Sequence, residues 1–138
     1  MAGCSAGAIC AAATVANMEP SQMIEILLRL GERMRQKGFF FSLDGMDLVQ
    51  EVKRELDHVL PSDIHHLASG RLYVGVTTLG PPVKFHLINK FESRKDLLEA
   101  VAASASVPGV TASGFRPFPR LSSLGPSGIL DGGLLRNW

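Results

Sequence analysis

The sequence reads as an α/β domain, and three observations say so. An apolar, small-residue stretch near the start is followed by two stretches whose apolar residues recur at helical spacing. Two later stretches, "RLYVGVTTL" and "VKFHLINKF", are dense in β-branched and aromatic residues and flank Gly80-Pro81-Pro82, as strands joined by a turn do. The whole is 138 residues, 46% hydrophobic and 20% charged, enough to bury one core and too apolar for a disordered chain.

Taken in order, Ala6 to Met18 is almost all Ala, Ile, Val and Cys, which predicts a helix buried on most sides. "PSQMIEILLRLGERMRQK" follows, with Pro20 suited to a first helical turn and Lys37-Gly38 to a last one. Met23, Leu27, Leu30 and Met34 form its expected apolar stripe, and Leu28 and Leu30 are expected in the core. Beyond "FFFSL", a third helix presents Val49, Val52, Leu56 and Val59 on one face and stops at Pro61. After the two strands, Ser93 with Asp96 is a capping-box signature opening the helix "RKDLLEAVAASAS", which Pro108-Gly109 ends. Residues 110–128 are rich in Pro, Gly and Ser and read as a long loop. "GILDGGLLRNW" closes the chain as a short apolar strand running into Asp131-Gly132-Gly133.

Composition excludes several classes of function. A net charge of +1, with no basic stripe carrying interleaved aromatics, gives no case for nucleic acid. No apolar run approaches a membrane span. The small-residue start lacks the basic segment of a secretory signal and breaks at Asn17-Met18-Glu19. Cys4 and Cys10 do not make a disulfide framework; a reducing, cytoplasmic compartment is expected, with both as small buried residues.

The chemistry centres on "GCSAG". Gly-x-Ser-x-Gly is the pattern of a nucleophile elbow, a tight turn that lifts a serine from a strand onto a helix. A serine hydroxyl needs a base to take its proton and donors to hold the oxyanion that forms. In the elbow, Gly3 and Gly7 keep bulk away from the turn, and the N–H of Ala6 points to where the oxyanion would sit. Alone the motif is a weak signal, and a glycine-rich turn is the bland alternative. No histidine is well placed as the base: His58 lies late in the third helix, His65-His66 in a polar stretch, and His86 within a strand. Metal-ligand spacing is also missing. Asp131 is the better base, since a carboxylate partly withdrawn from water can have a raised pKa and accept the serine proton.

These residues carry a resemblance. "GCSAG", the strand with Val74 to Thr77, the helix ending in Ala103-Ser104 to Pro108-Gly109, and Asp131-Gly132-Gly133 occur in the order of a patatin-like phospholipase domain, over nearly the whole chain. The resemblance implies an α/β/α three-layer sandwich spanning residues 1–138. It also implies a Ser–Asp dyad that hydrolyses phospholipid, galactolipid or acylglycerol esters, with no metal or organic cofactor. Ser5 would be the nucleophile and Asp131 the base. Gly132 and Gly133 would let the backbone turn tightly past the serine, and Asn137 would be structural.

The family places a first strand, a Gly-rich oxyanion loop and the strand that delivers the serine ahead of the elbow. All three are expected to be missing here, since only Met1 and Ala2 precede Gly3. The expectation is therefore an incomplete domain with poor catalysis, or, as the rival reading, a non-catalytic lipid-surface or partner-binding piece of the same fold. A Ser-His-Asp hydrolase would need a histidine after Asp131, and there is none. Contact with a membrane or lipid-droplet surface could involve Phe115, Phe118 and Leu121 beside Arg116 and Arg120, although inward packing or a surface loop is favoured. Phe39, Phe40 and Phe41 are expected to pack in the core rather than line an acyl pocket.

Overall fold

A computed structural model describes residues 1–36, 48–108, 111, 118, 121, 124 and 128–135. Its elements are β1 (Ala2–Gly3), α1 (Ala6–Val15), α2 (Pro20–Gln36), α3 (Leu48–Val59), α4 (Ile64–Ala68), β2 (Tyr73–Thr78), β3 (Lys84–Ile88), α5 (Arg94–Ser104) and β4 (Ile129–Asp131). A 3-10 turn, Gly132–Leu134, follows β4. The fold is α/β as the sequence predicts. Phe39–Phe41, Phe115, Arg116, Arg120 and Asn137 lie outside the described residues.

β2 is the centre of a mixed sheet, and five of its six residues are buried. β3 runs antiparallel along one edge of it, from Val74↔Ile88 to Thr78↔Lys84. A strand has two edges, so β1 and β4 must share the other. β1 pairs parallel and stops opposite Val74. β4 pairs antiparallel, starting opposite Thr78 and stopping opposite Val76. The two strands thus end facing each other across a single residue, Gly75. The strand in front of the serine is two residues long, and it is held by the Tyr73 N–H donating to Met1 O at 2.8 Å.

Six of the ten residues of α1 are buried, which fits its all-round apolar sequence. It ends at Val15 rather than near Met18, because Asn17 takes a left-handed conformation (φ 56°). Asn17 N–H then donates to Thr14 O and Met18 N–H to Ala13 O, both at 3.0 Å, closing the helix in a Schellman turn. Ser93 caps α5 by accepting from Asp96 N–H at 3.2 Å, as its sequence signature requires. α5 packs on α1, α3 and α4, α1 also packs on α4, and α1 and α5 both pack on β2. Val74, Val76, Leu97 and Val101, each fully buried, form the middle of the core. Phe118 and Leu121 are buried too, so these two pack inward.

The helix stripes need correction. On α2 the buried residues are Ile26 and Leu30, with Met23 packed beside them, while Leu27 is 37% and Leu28 68% exposed. Arg29 and Arg33 flank Leu30 on the same helix face and reach the carboxylates of α3, which fixes that face inward. Two apolar stripes exist in this sequence, and the ion pairs select one. On α3, Val49, Val52 and Leu56 are buried as expected, but Val59 is 36% exposed and Leu60 takes the core position. The stretch after Pro61, polar in sequence around His65-His66, forms α4, which Ile64 and Ala68, four apart and both fully buried, anchor. Cys4 and Cys10 are half-buried rather than buried. No described helix is long and apolar enough to cross a membrane.

Glu55 is the buried carboxylate of the α2–α3 contact. Its side chain is 9% exposed and lies 2.9 Å from Arg33 and 3.9 Å from Arg29, and Arg33 also binds Glu51. Removing a partner from a fully buried ion costs about 3–5 kcal/mol. Here the Arg33 side chain is 42% exposed, which leaves water and Arg29 as partial substitutes. Arg33→Ala should therefore lower stability by about 1–2 kcal/mol in urea denaturation. Arg35→Ala, which breaks only the exposed pair with Glu32, should leave the unfolding midpoint at the wild-type value. Equal losses would mean the Glu55 contact is not what joins the helices.

Candidate active site

Ser5 lies between β1 and α1 with φ 53° and ψ −129°. A non-glycine residue in this region carries about 1–3 kcal/mol of strain, which surrounding contacts must offset. Here the contacts are explicit. Ser5 N–H donates to Ser104 O (3.1 Å) and Ser104 Oγ (3.0 Å) at the end of α5. Gly7 N–H donates to Cys4 O (2.9 Å) and Ala8 N–H to Ser5 O (3.0 Å), which starts α1 immediately. Among the described residues, the N–H of Ala6 takes no partner, and Ala6 is an exposed residue in the first turn of a helix, where the dipole is positive.

The glycines of the motif are not equivalent. A Cβ on Gly3 would overlap the backbone of Gly7, so this glycine lets the turn close. A Cβ on Gly7 would meet nothing within 4 Å, so the steric expectation holds at Gly3 and not at Gly7.

Asp131 ends β4 and is 7% exposed. Its N–H donates to Ser106 O at 2.9 Å, just past α5, and its Oδ1 accepts from Gly133 N–H at 2.7 Å. That second bond caps the 3-10 turn and fixes the carboxylate. Gly132 is packed backbone to backbone on Gly75, where a Cβ would overlap the Gly75 carbonyl and come within 2.9 Å of Cys4 Sγ. A Cβ on Gly133 would sit 3.1 Å from Asp131 Oδ1.

Ser5 and Asp131 are therefore brought to one place by three devices: β1 and β4 end nose to nose, Cys4 packs on Gly132, and Ser104–Ser106 binds both backbones. Their side chains are not hydrogen-bonded to each other here. None of the histidines joins them. His58 is exposed at the end of α3, and His65 and His66 stack on each other on α4, 4.0 Å between centroids. His86 on β3 is bonded to Thr78 Oγ1 at 3.0 Å. Sequence reasoning did not assign a role to Ser104 or Gly75.

The patatin-like phospholipase family model matches residues 1–138. The chain belongs to the patatin-like phospholipase family. Patatin-like phospholipase domain-containing protein 4 of Homo sapiens is 30% identical over 108 residues, 78% of this chain and 42% of that protein. Omega-hydroxyceramide transacylase of Mus musculus is 34% identical over 110 residues, 78% of this chain and 18% of that protein. A 1-acylglycerol-3-phosphate O-acyltransferase of Mus musculus is 25% identical over 106 residues, covering 77% of this chain and 25% of its own length. The chain thus spans less than half the length of each of these relatives. No solved structure matches it.

Within this patatin-like domain the glycines give a direct stability test. Gly7→Ala has open space and a helical position, and should stabilise by about 0.5 kcal/mol. Gly3→Ala and Gly132→Ala each force backbone apart and should destabilise by about 1–3 kcal/mol. Thermal melting of the three variants checks this, and a Gly3→Ala protein as stable as wild type would contradict the close turn.

Proposed function

We propose that the chain carries the nucleophile and base of a lipid acyl hydrolase, with Ser5 and Asp131 acting as a Ser–Asp dyad on a carboxylic ester of a phospholipid, galactolipid or acylglycerol. The observation that carries this reading is the strained φ of Ser5 at the head of α1, directly beside the aspartate turn. Backbone strain held by a dense set of contacts is characteristic of residues positioned for chemistry.

The steps follow from the groups present. Ser5 Oγ attacks the ester carbonyl as its proton passes to the Asp131 carboxylate. The carbonyl oxygen becomes an oxyanion, which the Ala6 N–H and the α1 dipole would stabilise. Collapse breaks the ester C–O bond, the alcohol leaves with the proton from Asp131, and Ser5 holds the acyl group. A water then attacks the acyl-serine while Asp131 takes its proton, releasing the fatty acid and restoring Ser5. A hydroxyl-bearing acceptor in place of that water would turn hydrolysis into transfer, the reaction named for two of the relatives. Leu134 and Leu135, 55% and 49% exposed just after the aspartate turn, give the site an apolar border suited to an acyl chain or a lipid surface.

Fluorophosphonate labelling read by intact mass tests the dyad. Ser5→Ala should abolish labelling, and Asp131→Asn should slow it at least about 100-fold. Asn keeps a side-chain oxygen for Gly133 N–H, so that variant should fold and melt close to wild type. A folded wild-type chain that does not label, or that labels equally without Ser5, would favour the non-catalytic, lipid-surface reading.

A further inference from the structure

Ser104 is fully buried, and its hydroxyl joins two backbones that belong to different elements. It donates to Gly75 O on β2 at 2.7 Å and accepts from Ser5 N–H at 3.0 Å. Gly75 is the residue of β2 that falls between the last pair of β1 and the last pair of β4. Its carbonyl is therefore bonded by a side chain where a continuous neighbouring strand would supply an N–H. The carbonyl of Ser104 also takes the Ser5 N–H, at 3.1 Å. This is one of the last carbonyls of α5, which have no partner inside their own helix.

We infer that Ser104 is the positioning residue for the nucleophile: its hydroxyl clips the Ser5 turn to the sheet at the gap between β1 and β4. The inference rests on the hydrolase reading for its kinetic part, since it specifies what holds Ser5 in its left-handed conformation. It also assigns the Ser5 N–H a structural partner, which leaves Ala6 N–H as the open donor beside the nucleophile. Two residues on, Ser106 O binds Asp131 N–H, so the clip sets Ser5 against the same segment that holds the base.

The test compares Ser104→Ala, Ser104→Thr and Ser69→Ala. Ser69 Oγ makes a similar double contact, donating to His65 O at 2.8 Å and accepting from Phe91 N–H at 3.1 Å, at a distance along the fold from the elbow. It serves as the control for stability loss alone. Two readouts are taken: turnover of a short p-nitrophenyl ester, and amide hydrogen exchange at Ser5. Ser104→Ala should lower kcat by about 10- to 100-fold with KM within about twofold, because the nucleophile is misplaced while the binding surface is intact. It should also speed exchange at the Ser5 amide by about tenfold. Ser104→Thr keeps the hydroxyl and should recover most of both. Ser69→Ala should match the loss of melting temperature and move neither.

An unchanged Ser5 exchange rate in Ser104→Ala overturns the clip, whatever the activity. Faster exchange with unchanged kcat overturns its role in positioning. If wild type shows no Ser5-dependent turnover, the hydrolase reading falls, and the exchange rates alone decide whether the clip exists.

Discussion

Gly75 has no side chain, and its carbonyl faces a break between two strands; the rest of the site is arranged around that break. A continuous edge strand would have filled it with an N–H and pushed the two strand ends apart. Instead β1 stops one residue short and β4 stops one residue past it. Into the opening come the Ser104 hydroxyl, the Cys4 sulfur and the backbone of Gly132. Only small groups fit there. A Cβ on Gly75 would overlap Cys4 Sγ, and one on Gly132 would overlap Gly75 itself. The close approach of the serine and aspartate turns is a consequence of this lack of side chains.

The energetics agree with that picture. The conformation of Ser5 costs about 1–3 kcal/mol, while each neutral hydrogen bond returns a net of about 0.5–1.5 kcal/mol. The N–H groups of Ser5, Gly7 and Ala8 each find an acceptor within 3.1 Å, which is enough to hold the turn without any bond from the Ser5 side chain. The hydroxyl is thereby left out of the structural work. Asp131 is treated differently: its carboxylate is bound to Gly133 N–H, which orients one oxygen by backbone and, among the described residues, leaves the other without a hydrogen bond. The proposed dyad would need a mobile proton on Ser5 and a fixed lone pair on Asp131, and this difference in bonding is the reason for proposing those roles.

Much of this was legible in the sequence, and the reasons for the rest are physical. "GCSAG" placed the turn and "LDGG" placed its partner, because glycine patterns report backbone approach directly. The capping of α5 by Ser93 was legible for the same reason: a local hydrogen bond has a local signature. The α2 stripe was not, since Met23-Leu27-Leu30 and Met23-Ile26-Leu30 are equally helical and only the α3 carboxylates choose between them. Gly7 looked equivalent to Gly3 in the motif, yet only Gly3 lies against other backbone. Ser104 carried a weak signal, a hydroxyl in an otherwise alanine-rich helix end, but its partners lie 29 and 99 residues away. Nothing in a linear pattern gives that distance.

The placement of both turns on the end of α5 has a further consequence. The offset between Ser104 O and Ser106 O is set by the exit of one helix, which Ala105 and Ser106 close by donating back to Ala102 and Ala103. It does not depend on how α2 sits. α2 joins the fold through Ile26, Leu30 and the Arg–Glu pairs to α3, while Ile24 and Leu28 face outward. Substitutions there change stability by surface or interhelical contacts alone. The Ser5–Asp131 spacing is protected from them, because the elements that define it (β1, β2, β4 and the end of α5) contact one another directly. The site is thus built on the most interlocked part of the chain, where backbone meets backbone.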